Sequence, residues 1–199
     1  MKTISLPIVL LLLLTISCNQ QSKKSEKNEM NNFSKENISF QINSLDGKTI
    51  GGFDIKTLHI LSGDKIYQPK EKAEKRKYYY NGNLCYEVKG SEDGFKLKNA
   101  ESKLLWKIKL YPDKIKIADN EENSNPFEIK NKTGKIEITR NNEKIASVKI
   151  NDLSLIIDGK ETYKISQSNQ SFILGVLAIN QIPMEHRFFI IAEYLHRNK

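Results

Sequence analysis

Apolar residues recur at every second position through most of this chain. Ile38, Phe40 and Ile42 alternate with polar neighbours, and the spacing returns at Leu104, Trp106, Ile108 and Leu110, then at Ile115 and Ile117. Phe127 and Ile129, Ile136 and Ile138, and Tyr163 and Ile165 continue it. A period of two puts alternate side chains on opposite faces of a strand, so residues 38–165 predict short strands with one buried face each. Turn-forming residues separate them: Asp46-Gly47, Asn81-Gly82, Asp93-Gly94, Pro112-Asp113, Gly134, Asn141-Asn142 and Asp158-Gly159. Asn81-Gly82, between Tyr78–Tyr80 and Leu84–Val88, is the strongest hairpin signal, because type I′ turns need positive φ at both central residues. No helical pattern of 10–15 residues interleaves with these strands, which argues against a doubly wound sheet. The expectation is a mainly β domain, an antiparallel barrel or sandwich.

The pattern changes after Ile165. Phe172–Ile182 is apolar nearly all round, with Asn169 or Ser171 available as a cap. A helix that is apolar on every side is buried, so this segment is expected in or against the sheet. Pro183 ends the run. Met184, Phe188, Ile191 and Leu195 then form one stripe of a second helix, whose remaining surface is expected to carry Glu185, His186, Arg187, Glu193, His196 and Arg197.

The first residues follow a third pattern, with a cationic start at Lys2, an apolar run over Leu6–Leu14, and small Ser17 before Cys18. Nine helical residues reach about 14 Å against a hydrocarbon core of about 30 Å, so the run reads as a secretory signal. Thr15-Ile16-Ser17-Cys18 resembles the lipobox of bacterial lipoproteins, with Thr15 where that family usually has Leu. The resemblance implies that residues 1–17 are removed and that Cys18 carries the lipid. Several acyl chains at about 0.8 kcal/mol per buried methylene anchor firmly. Residues 19–37 hold only Met30 and Phe33 as sizeable apolar groups, so 18–37 is expected as a disordered tether. Such a chain spans roughly 25 Å. The folded body is then residues 38–199.

Composition adds charge to this picture. Of 199 residues, 32 are Lys or Arg and 24 Asp or Glu, a formal +8. Lys65–Lys77 contains six basic and two acidic residues, and Lys103–Ile117 contains five lysines and Asp113. Lys107, Lys109, Lys114 and Lys116 share one strand face and their apolar neighbours the other. That face is a candidate contact for anionic lipid, at up to about 1 kcal/mol per lysine, or a solvated face that discourages edge aggregation. Export removes nucleic acid as a partner.

Candidate chemistry is sparse. With Cys18 modified, Cys85 has no cysteine to pair with and reads as a buried structural thiol. His59 falls in an apolar stretch, Ile55–Leu61, read as a strand. His186 and His196 are too far apart in sequence for the i, i+4 spacing of a shared metal. Asp119, Glu121, Asn123 and Asn125 alternate like calcium ligands, but Ser124 and Lys130 stand where such a loop needs Gly and a bidentate acid. No HExxH, CxxC, GxSxG or phosphate-loop motif occurs. No cofactor, metal or catalytic residue is expected.

The order of segments, strands followed by one all-apolar helix, resembles the tubby C-terminal, LURP-one-related and scramblase superfamily, as do paired repeats such as Leu104–Lys109 and Lys114–Ile117. That resemblance implies a barrel enclosing a hydrophobic helix, and binding to membrane lipids. The second helix, with its hydrophilic positions, departs from the pattern. The expected protein is a non-catalytic binding or interaction module, lipid-anchored in the bacterial envelope on its periplasmic or outer face, with anionic lipid or an envelope protein as partner. A lipocalin-like carrier of an apolar ligand and an exported hydrolase are the alternatives.

Overall fold

The computed structural model describes residues 33–198; the expected signal segment, Cys18 and most of the tether lie outside them. The unit Ser34–Lys199 is built on fourteen strands. They are β1 (Phe40–Asn43), β2 (Thr49–Phe53), β3 (Ile60–Ser62), β4 (Lys65–Lys72), β5 (Lys75–Tyr80), β6 (Asn83–Ser91) and β7 (Gly94–Asn99), then β8 (Leu104–Leu110), β9 (Lys114–Ala118), β10 (Phe127–Lys132), β11 (Lys135–Arg140), β12 (Glu143–Asn151), β13 (Ser154–Ile157) and β14 (Lys160–Ile165). Each pairs antiparallel with its neighbours in sequence, and β1 pairs with β14, so the sheet closes into a barrel and keeps no edge. Closure decides the sequence expectation in favour of the barrel.

The alternation is what the barrel uses. Phe127 and Ile129 on β10, Ile136 and Ile138 on β11, and Ala146 and Val148 on β12 are buried, while most residues between them face outward. Asn81 and Gly82 take φ of 49° and 79°, the positive pair that the hairpin turn requires. The stretch Ile55–Leu61 departs from its predicted strand. β3 begins only at Ile60, and His59 lies in the connection before it. The Asp54 carboxylate accepts from the Lys56 and Thr57 amides at 3.0 and 2.7 Å and from the Thr57 hydroxyl at 2.9 Å, closing a turn that overrides the apolar pattern.

Two helical segments fill the interior. The first, Phe172–Ala178, is a 3-10 helix buried from Ile173 onward. At its centre a Cβ on Gly175 would sit 2.8 Å from Ile136 and 3.0 Å from Ile129, so glycine lets this segment lie directly on β10 and β11. Ser171 makes no side-chain cap; the Asn169 carboxamide oxygen accepts from the Ser171 amide instead, at 2.8 Å.

The second segment, Met184–Arg197, is a regular α-helix, and here the expectation of a solvated polar surface fails at Arg187 and Glu193, while Arg197 is exposed. Seven consecutive residues, Arg187 to Glu193, are buried, so the helix is enclosed on every side. Phe188 packs where a Cβ on Gly51 of β2 would overlap it, and Phe189 meets Tyr67, Tyr78 and Tyr86 on β4, β5 and β6. Only the inside of a closed barrel offers one helix so many walls. Burial of each such Phe or Ile contributes about 1.5–3 kcal/mol. Polar residues are tolerated there because each finds a partner. Arg187, 5% exposed, donates to the carbonyls of Leu177 and Ile182 at 2.7 Å and so ties this helix to the 3-10 segment.

The last residues assigned to the tether also take shape. Lys35–Asn37 form a 3-10 turn capped by Ser34, and Lys35 pairs with Asp64 at 2.6 Å.

Candidate functional site

Because the chain fills its own barrel, the outer face and the two rims are what remain for a partner. Strand register puts the lysines of the outer face into rows. Lys109 on β8 stands opposite Lys116 on β9, and Lys114 opposite Lys130 on β10. Like charges placed directly opposite repel, and carboxylates are inserted to relieve this part of the face. Lys109 pairs with Asp93 at 3.4 Å, Lys116 with Glu128 at 3.0 Å, and Lys107 with Glu121 at 3.9 Å and with its backbone carbonyl. Lys114 lies over the Tyr111 ring, 5.4 Å from its centre. The four lysines singled out in the sequence thus share one face, and three of them have an acidic partner. The pairing is reflected in the acids. Hydrogen bonds from Lys130 and Lys116 hold the Glu128 carboxyl below its ordinary pKa, and those from Ser91 and Lys109 do the same for Asp93.

Two polar clusters lie on the enclosed helix. At its C-terminal end Glu193, 0% exposed, accepts from Arg76 Nη1 at 2.6 and 2.7 Å and from the Tyr78 hydroxyl at 2.7 Å, with Arg197 3.7 Å away. Arg76 also reaches Glu71 at the rim. Burial works against the charge of Arg76, but the facing Glu193 carboxylate holds its pKa raised; burial and the same carboxylate push the Tyr78 phenol well up. A cleft of 540 Å³ opens beside this cluster, lined in part by Glu74, Ser91 and Arg197. These hydrogen bonds suit Glu193 to fixing the helix in the barrel.

At the N-terminal end Tyr86 donates to Glu185, and Lys65 lies 3.9 Å from the same carboxylate. Burial, then Glu185, raises the pKa of Tyr86, so the phenol stays protonated and continues to donate. Trp106 Nε1 lies 3.0 Å from His186 Nδ1. An indole N–H only donates, so Nδ1 is the accepting, unprotonated nitrogen. Burial lowers the His186 pKa, with Glu185 opposing, and the ring is neutral at pH 7. The arrangement joins the helix to β6 and β8 through polar contacts.

The other candidates are dispersed. His59 is half-buried, its ring 2.9 Å from the Thr57 hydroxyl, and burial lowers its pKa. His196 meets the Ile55 carbonyl at 3.1 Å. Cys85 is half-buried, a free thiol packed against the core rather than wholly within it. In the loop after β9, Glu121 is turned toward Lys96 at 2.6 Å, and Asn120 closes the loop on Ser124. No three His, Cys, Asp or Glu side chains converge as for a metal ion among the described residues.

Sequence reasoning missed Arg76, Tyr78, Arg187 and Glu193 as a buried polar set. One signal was present. Arg76 shares the inward parity of Tyr78 and Tyr80, between outward Lys75 and Lys77. Comparison of the chain with protein-family models, with curated proteins and with solved structures gives no match in any of the three.

Proposed function

We propose that this protein is a non-catalytic binding module held at a bacterial envelope membrane by lipid on Cys18, and that it meets anionic lipid through the lysine-bearing outer face of its barrel. The observation that carries this reading is the filled interior. Phe188, Phe189, Ile190 and Ile191 of the enclosed helix are fully buried with the inward residues of the sheet, in the volume that a carrier would keep for an apolar ligand. Recognition is then left to the outside, where Lys107, Lys109, Lys114 and Lys116 belong to a broader basic face. Partial neutralisation by Asp93, Glu121 and Glu128 keeps Lys107, Lys109 and Lys116 modest contributors.

Fractionation tests the anchor. The Cys18→Ala chain should leave the membrane fraction, and persistent pelleting would contradict lipidation. Vesicles test the face. Binding should be stronger to phosphatidylglycerol-containing than to phosphatidylcholine vesicles and should weaken with salt. Equal binding to both would contradict it.

A further inference from the structure

The lysines of the outer face are not compensated evenly. Through hydrogen-bonded register, Lys72 on β4, Lys75 on β5, Lys89 on β6, Lys96 on β7 and Lys107 on β8 stand in one line across adjacent strands. At about 4.8 Å between strands the line is roughly 19 Å long. A second line beside it runs Lys70, Lys77, Glu87, Lys98. Like charges directly opposite destabilise a sheet, and toward β8 the repulsion is relieved, because Glu121 lies 2.6 Å from Lys96 and 3.9 Å from Lys107. At the β4–β6 end of the first line it is relieved only at Lys75. Lys75 pairs with Glu87 at 3.2 Å, whereas Lys72, Lys77 and Lys89 have no acidic partner among the described residues.

These uncompensated lysines surround a depression. A pocket of 300 Å³ is lined by Lys72, Lys75, Lys77 and Lys89 together with Ala73 and Glu74 of the β4–β5 turn. Four ammonium groups set against the exposed Glu74 and the Lys75-paired Glu87 leave it net positive. Glu87, 4% exposed, has its two oxygens 3.2 and 3.3 Å from Lys75 Nζ. The Glu74 carbonyl accepts from the Gly90 amide at 3.2 Å, fixing the turn against β6.

We propose that Lys72, Lys75, Lys77 and Lys89 form a binding site for a phosphate group, and that it centres the membrane contact on β4–β6, away from the better-neutralised β8 and β9. The membrane part rests on the function proposed above. Ammonium groups serve as compact, strongly hydrated point charges that accommodate a phosphate without demanding one orientation. This suits a headgroup that diffuses in a lipid surface.

The unit Ser34–Lys199 contains every described strand and the whole buried core, so it folds as a separate body and can be tested without lipid. Its sedimentation with vesicles of phosphatidylcholine, with and without phosphatidylglycerol, is compared for three variants: Lys72, Lys75, Lys77 and Lys89 all changed to Gln, the same four changed to Arg, and Lys107, Lys109, Lys114 and Lys116 all changed to Gln. Unchanged circular dichroism verifies folding. The first Gln variant should lose about thirtyfold or more in affinity for the anionic vesicles, the Arg variant should retain it, and the second Gln variant should lose under about threefold. Equal losses in both Gln variants, or a larger loss in the second, would overturn the site and leave the basic-face reading standing. Absence of any preference for anionic vesicles removes that reading. In that case calorimetry with inorganic pyrophosphate decides the site itself: binding that the first Gln variant abolishes supports a soluble phosphate source, and no binding overturns the proposal.

Discussion

Strand β5 carries two kinds of cation within three residues, and their environments differ completely. Arg76 points inward and makes two hydrogen bonds to Glu193 at 2.6 and 2.7 Å, while Lys75 and Lys77 on either side point out toward the pocket before the β4–β5 turn. Inside, Arg76 spans two carboxylates, Glu193 through Nη1 and Glu71 at the rim through Nε and Nη2, a reach that the several nitrogens of one guanidinium allow. Outside, charge is left in excess. The contrast separates the two jobs of the barrel's polar residues. The inner set fixes the helix, and the outer set carries charge on the outer face.

The sharpest way to break the comparison is to remove the inner partner. Glu193→Ala leaves Arg76 with only Glu71 at the rim and the buried Tyr78 hydroxyl without its acceptor, and denaturant unfolding should report a loss of about 3–5 kcal/mol. Lys75→Gln, one residue from Arg76, should cost less, because Lys75 is 43% exposed and the amide that replaces it can still donate to the buried Glu87 carboxylate. Next comes Tyr78→Phe, which deletes only the 2.7 Å hydrogen bond to Glu193 and should cost about 1.5–3 kcal/mol.

Acid should act on the inside first. Burial depresses the pKa of His186 and of His59, so their folded forms resist protonation. The unfolded chain takes up those protons below about pH 6.5. Their contribution to stability is therefore complete above that pH and is lost as pH falls. The denaturation midpoint should be flat from about pH 8 to 7 and decline below about 6.5. His186→Gln should shallow the decline, and a midpoint that rises on acidification would contradict the assignment. The smallest effect belongs to the outer pairs. Lys109→Gln, which breaks an exposed pair with Asp93, should change stability by less than about 0.5 kcal/mol.

The barrel was legible because alternation of two reports one buried face directly. Ile136 and Ile138 are buried and Glu137 faces outward, as their spacing requires. The turn at Asn81-Gly82 was legible because few residues tolerate its φ values. The enclosed helix was not, for a physical reason. Arg187 and Glu193 look like surface charges until their partners are known, and the Arg76 partner of Glu193 stands 117 residues away in sequence. The role of Phe172–Ala178 was half legible. Its burial follows from composition, but its close seat on Ile129 and Ile136 of the wall, which Gly175 permits, is a matter of tertiary packing. On the outer face, alternation reveals which lysines point outward. Register alone shows that Lys72, Lys75, Lys89, Lys96 and Lys107 line up, and that Glu121 serves only the β7–β8 end.

The most direct test of an outward-facing recognition surface is lysine footprinting of the full chain, by reductive methylation and mass spectrometry, with and without anionic vesicles. Protection should concentrate on Lys72, Lys75, Lys77 and Lys89, while Lys144, Lys149 and Lys160 around the barrel stay as reactive as in free protein. Uniform protection, or protection centred on Lys144–Lys160, would contradict it.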